Sequence, residues 1–305
     1  MKKKIHKDLI NLGVSNIIID EPLYKHTTYR VGGPANIYVE SKNYQDIVNT
    51  IDYAIKNKIN YFVLGAGSNV LINDKPFQGI IISTRLLNSY EISGNEVYAE
   101  CGVSMIALAV HTANAGLTGL EFASGIPGCI GGSAFMNAGA YKKSMSDVIS
   151  EVLLYRNGNV EWVNVEELEF SYRHSILQTK RDWIVLAVKM YLEEEDPENI
   201  KQLINDRKKR RMDTQPYDAY SAGSVFKNPS KELSSWKLID DAMLRGYKIN
   251  DAQVSIKHPN FIINTDRASA KDIYELIKLV QTQVNEKFNV KLKIEVELVN
   301  FNGEK

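Results

Sequence analysis

The chain has 305 residues, of which 44% are apolar and 24% charged, with 37 Lys+Arg against 37 Asp+Glu. That length is enough for about two domains with substantial cores, and a zero net charge argues against a dedicated nucleic-acid binder, whose affinity comes from a basic excess meeting phosphates. Two cysteines, Cys101 and Cys129, stand in no metal-ligand spacing, no stretch reaches the apolar length of a membrane span, and the basic start has no signal-peptide core behind it. These features predict a cytoplasmic chain with no metal site, no disulfide framework and no membrane insertion.

In chain order, residues 5–12 read as a short helix, 36–40 as a strand, and 44–56 as a helix with Ile47, Ile51, Ala54 and Ile55 on one face. Residues 61–64 form an apolar strand that ends in Gly65-Ala66-Gly67-Ser68-Asn69, and 70–72 and 79–82 follow as strands. Residues 91–101 alternate around Ser93-Gly94-Asn95 as a hairpin does, 105–115 are helical, and 148–165 form a second hairpin around Asn157-Gly158. The acidic run Glu193-Glu194-Glu195-Asp196, closed by Pro197, reads as a linker, with an amphipathic stretch over 198–211 behind it. Helices are expected near 236–244 and over 270–288, the latter opened by the capping box Ser269 and Asp272, with strands at 261–263 and 292–301.

Glycine is unevenly spent. Seven of the nineteen glycines fall within residues 116–139, where an even spread would place about 1.5, and only Gly223 and Gly246 occur between Val160 and Phe301. The N-terminal half is therefore built on backbone that turns tightly or approaches something closely. The loop after the 61–64 strand offers successive amides suited to a phosphate or pyrophosphate, although an ordinary strand-ending turn has the same composition. It is not a Rossmann loop, because Val70-Leu71-Ile72 continues as strand where a third glycine should open a helix. The run from Gly125-Ile126-Pro127-Gly128 through Gly131-Gly132-Ser133 and Asn137-Ala138-Gly139-Ala140-Tyr141 has almost no charge and suits the face of a planar ring or phosphates reached by amides; a tightly packed structural loop is the alternative.

These two runs, with Tyr172-Arg173-His174-Ser175 and Gly223-Ser224-Val225-Phe226-Lys227-Asn228-Pro229, stand in the order seen in UDP-N-acetylenolpyruvoylglucosamine reductases, also called UDP-N-acetylmuramate dehydrogenases. The resemblance spans residues 27–297, and the short interval between Arg173 and Ser224 resembles the compact type II subclass. It implies an α+β chain: an FAD-binding domain of the vanillyl-alcohol-oxidase (PCMH) type in two subdomains over residues 1–196, with its core at about 30–195, then a smaller α+β substrate-binding domain over 197–305. It also implies non-covalent FAD, NADPH as hydride donor and a nucleotide-sugar substrate, UDP-N-acetylglucosamine enolpyruvate, reduced to UDP-N-acetylmuramate for bacterial peptidoglycan.

Carried over residue by residue, the resemblance gives FAD to Gly65, Ala66, Gly67, Ser68 and Asn69 and to Gly125, Ile126, Pro127, Gly128, Gly131, Gly132, Ser133, Asn137 and Gly139. Ser224 matches the proton donor, Arg173 the arginine that holds the substrate carboxylate, and Glu295 the catalytic glutamate of the last strand. Lys227 and Asn228 suit the substrate's diphosphate or uridine. The family arginine two residues after that glutamate is replaced here by Glu297. The basic run at 207–211 reads as a solvated helix end that could also attract a dianionic nucleotide sugar, and His258 as structural. Two other classes would use the same loops: a flavin oxidase of the same fold, which would consume oxygen, and a non-redox nucleotide-sugar protein, which would purify colourless.

Overall fold

The structure, a computed structural model that describes residues 1–301, divides into two units, each assembled from three stretches of chain. The first comprises Met1–Asp20, Asn36–Ala66 and Gln78–Arg210; the second comprises Glu21–Ala35, Gly67–Phe77 and the described residues from Arg211 onward.

Two sheets organise the first unit. The four-stranded sheet runs in the order Ile17–Pro22, Pro34–Glu40, Phe77–Ser83 and Asn60–Leu64, with the last two parallel. Ile80, Ile81 and Ile82 are all fully buried, which is why this strand reads as an unbroken apolar run rather than an alternation. Each such side chain stabilises the fold by about 1.5–3 kcal/mol. Helix α1 (Lys2–Asn11) precedes this sheet, and α2 (Tyr44–Lys56) is opened by Asn43, whose side chain accepts from Asp46 N at 2.8 Å. Ile47, Ile51 and Ala54 face the core, whereas Ile55, expected on the same face, lies at the stripe's edge and is exposed.

The second sheet is antiparallel, in the order Asn159–Asn164, Ile149–Arg156, Ile184–Tyr191, Glu96–Glu100 and Tyr90–Ser93. Both expected hairpins are present. The second turns on Asn157 and Gly158, both at positive φ, as a tight two-residue hairpin requires. Helix α3 (Met105–Asn114) is capped by Ser104, and the glycine-rich run, expected as loop, contains a short helix α4 (Ile130–Met136). The acidic run is not a free linker: Glu193–Glu194 pairs antiparallel with Leu117–Thr118, satisfying its backbone while both carboxylates stay exposed. Helix α5 (Pro197–Thr214) follows.

The second unit contains α6 (Ser235–Asp241), α7 (Ala270–Phe288) and an antiparallel sheet in the order Tyr220–Ser221, Ile262–Asn264, Ala252–Val254 and Lys248–Ile249. The capping box is formed as read: Asp272 N donates to Ser269 Oγ at 3.0 Å and Ser269 N to Asp272 Oδ2 at 2.8 Å. Ile273, Leu276, Ile277, Val280 and Val284 on one face of α7 are buried. The strand expected over 292–301 is shorter than that pattern suggested. Only Glu297–Val299 is strand, paired parallel with Val70–Ile72, and Val296 forms a bend before it. Glu295 thus precedes the strand rather than lying on it.

One buried side chain organises the segment after Ser224. Val225 N donates to Asn260 O at 2.8 Å, Phe226 N donates to Asn260 Oδ1 at 3.0 Å, and Asn260 Nδ2 donates to Phe226 O at 2.9 Å. On the other side Glu295 N donates to Val225 O at 2.7 Å and Lys227 N to Lys293 O at 2.9 Å. Asn260→Ala would leave a buried donor and a buried acceptor of Phe226 unpaired, a loss of about 3 kcal/mol. Equilibrium urea unfolding of the variant should show its midpoint lowered accordingly, and an unchanged midpoint would mean that Asn260 does not hold this segment.

Candidate active site

In the first unit the glycine-rich run lies against residues 101–105 through backbone bonds. Met105 N donates to Gly128 O at 3.1 Å, Ile130 N to Val103 O at 2.9 Å and Gly131 N to Cys101 O at 2.8 Å. A Cβ at Gly131 would stand 2.7 Å from Cys101 Cβ, and one at Gly65 would stand 2.4 Å from Cys129 Sγ. At Gly131 the Cβ and main chain of Cys101 stand in the way, so glycine is required there, whereas at Gly65 only the Cys129 Sγ does. The Cys129 contact also brings the end of the Asn60–Leu64 strand against the Gly125–Gly139 run, two segments that sequence alone placed far apart. Cys101 is buried, which pushes its thiol well above the ordinary cysteine range and leaves it unreactive.

Asn137 ends α4 at φ +46° and is buried; its Nδ2 donates to Ser171 O at 2.9 Å and its Oδ1 accepts from Ser146 N at 3.0 Å. Two residues on, Gly139–Ala140 pairs with Lys143–Ser144 around a turn in which Tyr141 and Lys142 both have positive φ. Arg173 Nη2 donates to Gly139 O at 2.5 Å, so the candidate carboxylate-binding arginine is attached to the glycine-rich run. Behind the turn, the Arg207 guanidinium lies 4.8 Å from the Tyr141 ring centroid, and the Tyr141 hydroxyl donates to Arg207 O at 3.4 Å. The basic run at 207–211 is thus not solvated throughout. Lys208, Lys209 and Arg210 are exposed as expected, but Arg207 packs inward on Tyr141.

In the second unit the residue after Ser224, Val225, accepts from Glu295 N at 2.7 Å. Asn69 joins the same cluster, since its Nδ2 donates to Glu295 O at 3.2 Å and its main-chain O accepts from Glu297 N at 2.9 Å. Asn228 Oδ1 accepts from Ser235 N at 3.0 Å and Ser235 Oγ donates to Lys227 O at 2.6 Å, so Asn228 anchors the start of α6. His258 is held neutral by burial, accepts from Asn260 N at 3.3 Å and packs edge-on against Phe261 at 5.0 Å. It is a structural neighbour of Asn260. Sequence reasoning overlooked Asn260 and Gln178, which touch the main chain of a motif residue, and read Arg207 only as part of a basic run; a lone polar residue outside the motifs carries no signal of such a contact.

Residues 215–299 match the family model for the UDP-N-acetylenolpyruvoylglucosamine reductase C-terminal domain, and residues 35–164 match an FAD binding domain. UDP-N-acetylenolpyruvoylglucosamine reductase 1 of Bacillus anthracis is 41% identical over 301 residues, covering 97% of this chain and 99% of that one. The chain belongs to the UDP-N-acetylenolpyruvoylglucosamine reductase family. The Clostridium novyi reductase is likewise 41% identical, over 100% of this chain and 98% of its own. The crystal structure of the Thermus caldophilus reductase superposes with a TM-score of 0.80 at 32% identity, covering 93% of this chain and 98% of that chain. As a member of this reductase family with an FAD binding domain, the chain is a flavin-dependent oxidoreductase, and FAD is its cofactor.

The residues present fit that cofactor. The Gly65 to Asn69 loop carries no charged side chain and is anchored through its carbonyls: Thr28 N donates to Gly67 O at 3.1 Å, alongside the Glu297 bond to Asn69 O. A loop held this way can present its amides to a pyrophosphate. At Gly67, φ is +67° and a Cβ would stand 2.0 Å from His26 O, so no other residue keeps this backbone path. Gly67→Ala should therefore purify with flavin content reduced about tenfold or more. Gly94→Ala, in a hairpin turn also at positive φ but with open space around it, should retain flavin. Equal flavin absorbance at 450 nm in the two variants would remove the loop from cofactor binding. Acid precipitation should release all flavin: the nearest candidates for a covalent tether are His111, stacked on Tyr90 at 5.1 Å, and Cys129, buried against Gly65.

Proposed function

We propose that this chain reduces UDP-N-acetylglucosamine enolpyruvate to UDP-N-acetylmuramate, with NADPH as the source of hydride, in the cytoplasmic synthesis of peptidoglycan precursors. Residues 1–196 serve the flavin and, through Arg173, the substrate carboxylate, and 197–305 serve the nucleotide sugar. When bound, FAD supplies a hydride to the enolpyruvyl methylene. The carbon beside it then carries negative charge that spreads into the attached carboxylate. Arg173 binds that carboxylate and stabilises the added charge, a task suited to a fixed, permanently charged fork of donors. Ser224 gives its hydroxyl proton to the carbon, so the double bond gains one hydride and one proton, and Ser224 recovers its proton from solvent.

The observation that carries the reading is the bond from Glu295 N to Val225 O, which ties the candidate glutamate to the residue next to the candidate proton donor. It also favours Glu295 over Glu297 as the working carboxylate, since Glu297 N is bonded instead to Asn69 O. Lys227 and Asn228, two bonds along the same segment, are assigned to the substrate's diphosphate or uridine.

Reduced flavin in this protein should be reoxidised rapidly by the enolpyruvyl UDP sugar and not by UDP-N-acetylglucosamine, because only a double bond conjugated to a carboxylate accepts hydride. Similar rates with both sugars would sink the assignment. Ser224→Ala should bleach its flavin with NADPH at nearly the wild-type rate yet turn over the enolpyruvyl substrate at least a hundredfold more slowly, each factor of ten being about 1.4 kcal/mol in the barrier. Ser224→Cys, retaining a donor, should recover part of that loss. A variant slowed only in flavin reduction, or in neither step, would exclude Ser224 as the donor.

A further inference from the structure

Arg173 stands in an unusual backbone state for its task. It occupies the third position of a turn closed by reciprocal bonds between Ser171 and His174, at 3.0 and 3.1 Å, and its φ is +54°. Turns with positive φ at that position favour glycine or asparagine, and an arginine there costs about 1–2 kcal/mol. Its guanidinium donates to Gly139 O and lies 5.2 Å from the Tyr172 ring centroid, and the direction in which it leaves the main chain follows from the backbone state of Arg173.

One side chain does so from outside the turn. Gln178 Nε2 donates to Arg173 O at 3.1 Å and lies 3.3 Å from Phe135 O and 3.8 Å from Met136 Sδ. Ser175 Oγ donates to the same Phe135 O at 2.7 Å. A single amide group thus links the carbonyl of Arg173 to the end of α4, from which Asn137 and Gly139 continue. We propose that Gln178 is a positioning residue for the oxidative half-reaction: it holds the left-handed backbone of Arg173 so that the guanidinium stays on Gly139 O and faces the substrate carboxylate. This rests on the role of Arg173 proposed above. Gln178 itself touches neither substrate nor flavin in this scheme.

Gln178→Leu keeps a side chain of comparable bulk, one atom shorter, and removes its donors. By stopped flow, the variant should reduce its flavin with NADPH at the wild-type rate and reoxidise it with the enolpyruvyl UDP sugar about tenfold to a hundredfold more slowly, the range expected when a binding group shifts by about an ångström. Combined with Arg173→Ala, which should itself slow reoxidation, the Gln178→Leu change should have no further effect beyond about twofold, because the two residues act as one. A crystal structure of the Gln178→Leu variant should show Arg173 out of the left-handed region and off Gly139 O.

An Arg173 unmoved in that structure would overturn the proposal whatever the substrate proves to be. So would a loss that persists in full in the Arg173→Ala background, or one shared equally by flavin reduction and flavin content. Failure of the wild-type flavin to be reoxidised by the enolpyruvyl sugar would instead overturn the functional reading, while the crystal structure would still decide whether Gln178 holds Arg173.

Discussion

Backbone packed against its neighbours with no room for a side chain is the constraint on which the rest of this molecule depends. At Gly65, Gly67 and Gly131 an added Cβ would stand 2.0–2.7 Å from a neighbouring atom, and at Gly67 that atom is a main-chain carbonyl with no freedom to withdraw. Chain brought this close can offer its amides to a ligand without interference from side chains, which suits the pyrophosphate of FAD. The same closeness explains the short helix Ile130–Met136: two glycines at its start cost helix propensity, yet Gly131 has to lie on Cys101.

A second economy operates around Ser224. A serine is a poor acid, and nothing in its own composition marks it for proton transfer. What distinguishes it is the segment that follows, where the N–H and C=O groups of Val225 and Phe226 and the N–H of Lys227 are all bonded, to Asn260, Glu295 and Lys293. A segment so fully satisfied and buried has little freedom to move, which is what the proposed donor role of Ser224 requires. Asn260 accomplishes much of this with one amide side chain and its own carbonyl. His258, a tempting candidate for chemistry, only supports Asn260.

Several strained positions of the first unit lie in and beside the glycine-rich run and the Arg173 turn. Asn137, Tyr141, Lys142 and Arg173 all have positive φ, and the four are joined through Ser171 and Gly139. Each costs of the order of 1 kcal/mol, offset by the core of the same unit and by the side chains that hold them: Ser146 on Asn137, Arg207 on Tyr141, Gln178 on Arg173. Strained backbone of this kind persists where surrounding structure fixes it, and here it coincides with the motif residues.

The sequence by itself determined the elements with strong local causes. The capping box Ser269 and Asp272 with its amphipathic helix, the Asn157-Gly158 hairpin and the buried Ile80 to Ile82 strand each follow from interactions within a few residues, so composition and period suffice to find them. The ordered glycine motifs likewise determined the family, because several of them in one order are hard to produce by chance. Tertiary structure decided the rest. That residues 21–35 and 67–77 join the second unit, that the acidic run pairs with Leu117–Thr118, that the last strand begins only at Glu297, and that Gln178 and Asn260 serve motif residues all depend on bonds between segments far apart in the chain. Local periodicity carries no trace of such bonds: a hydrogen bond requires only a donor and an acceptor, which every residue has, and the choice of partner is made by packing.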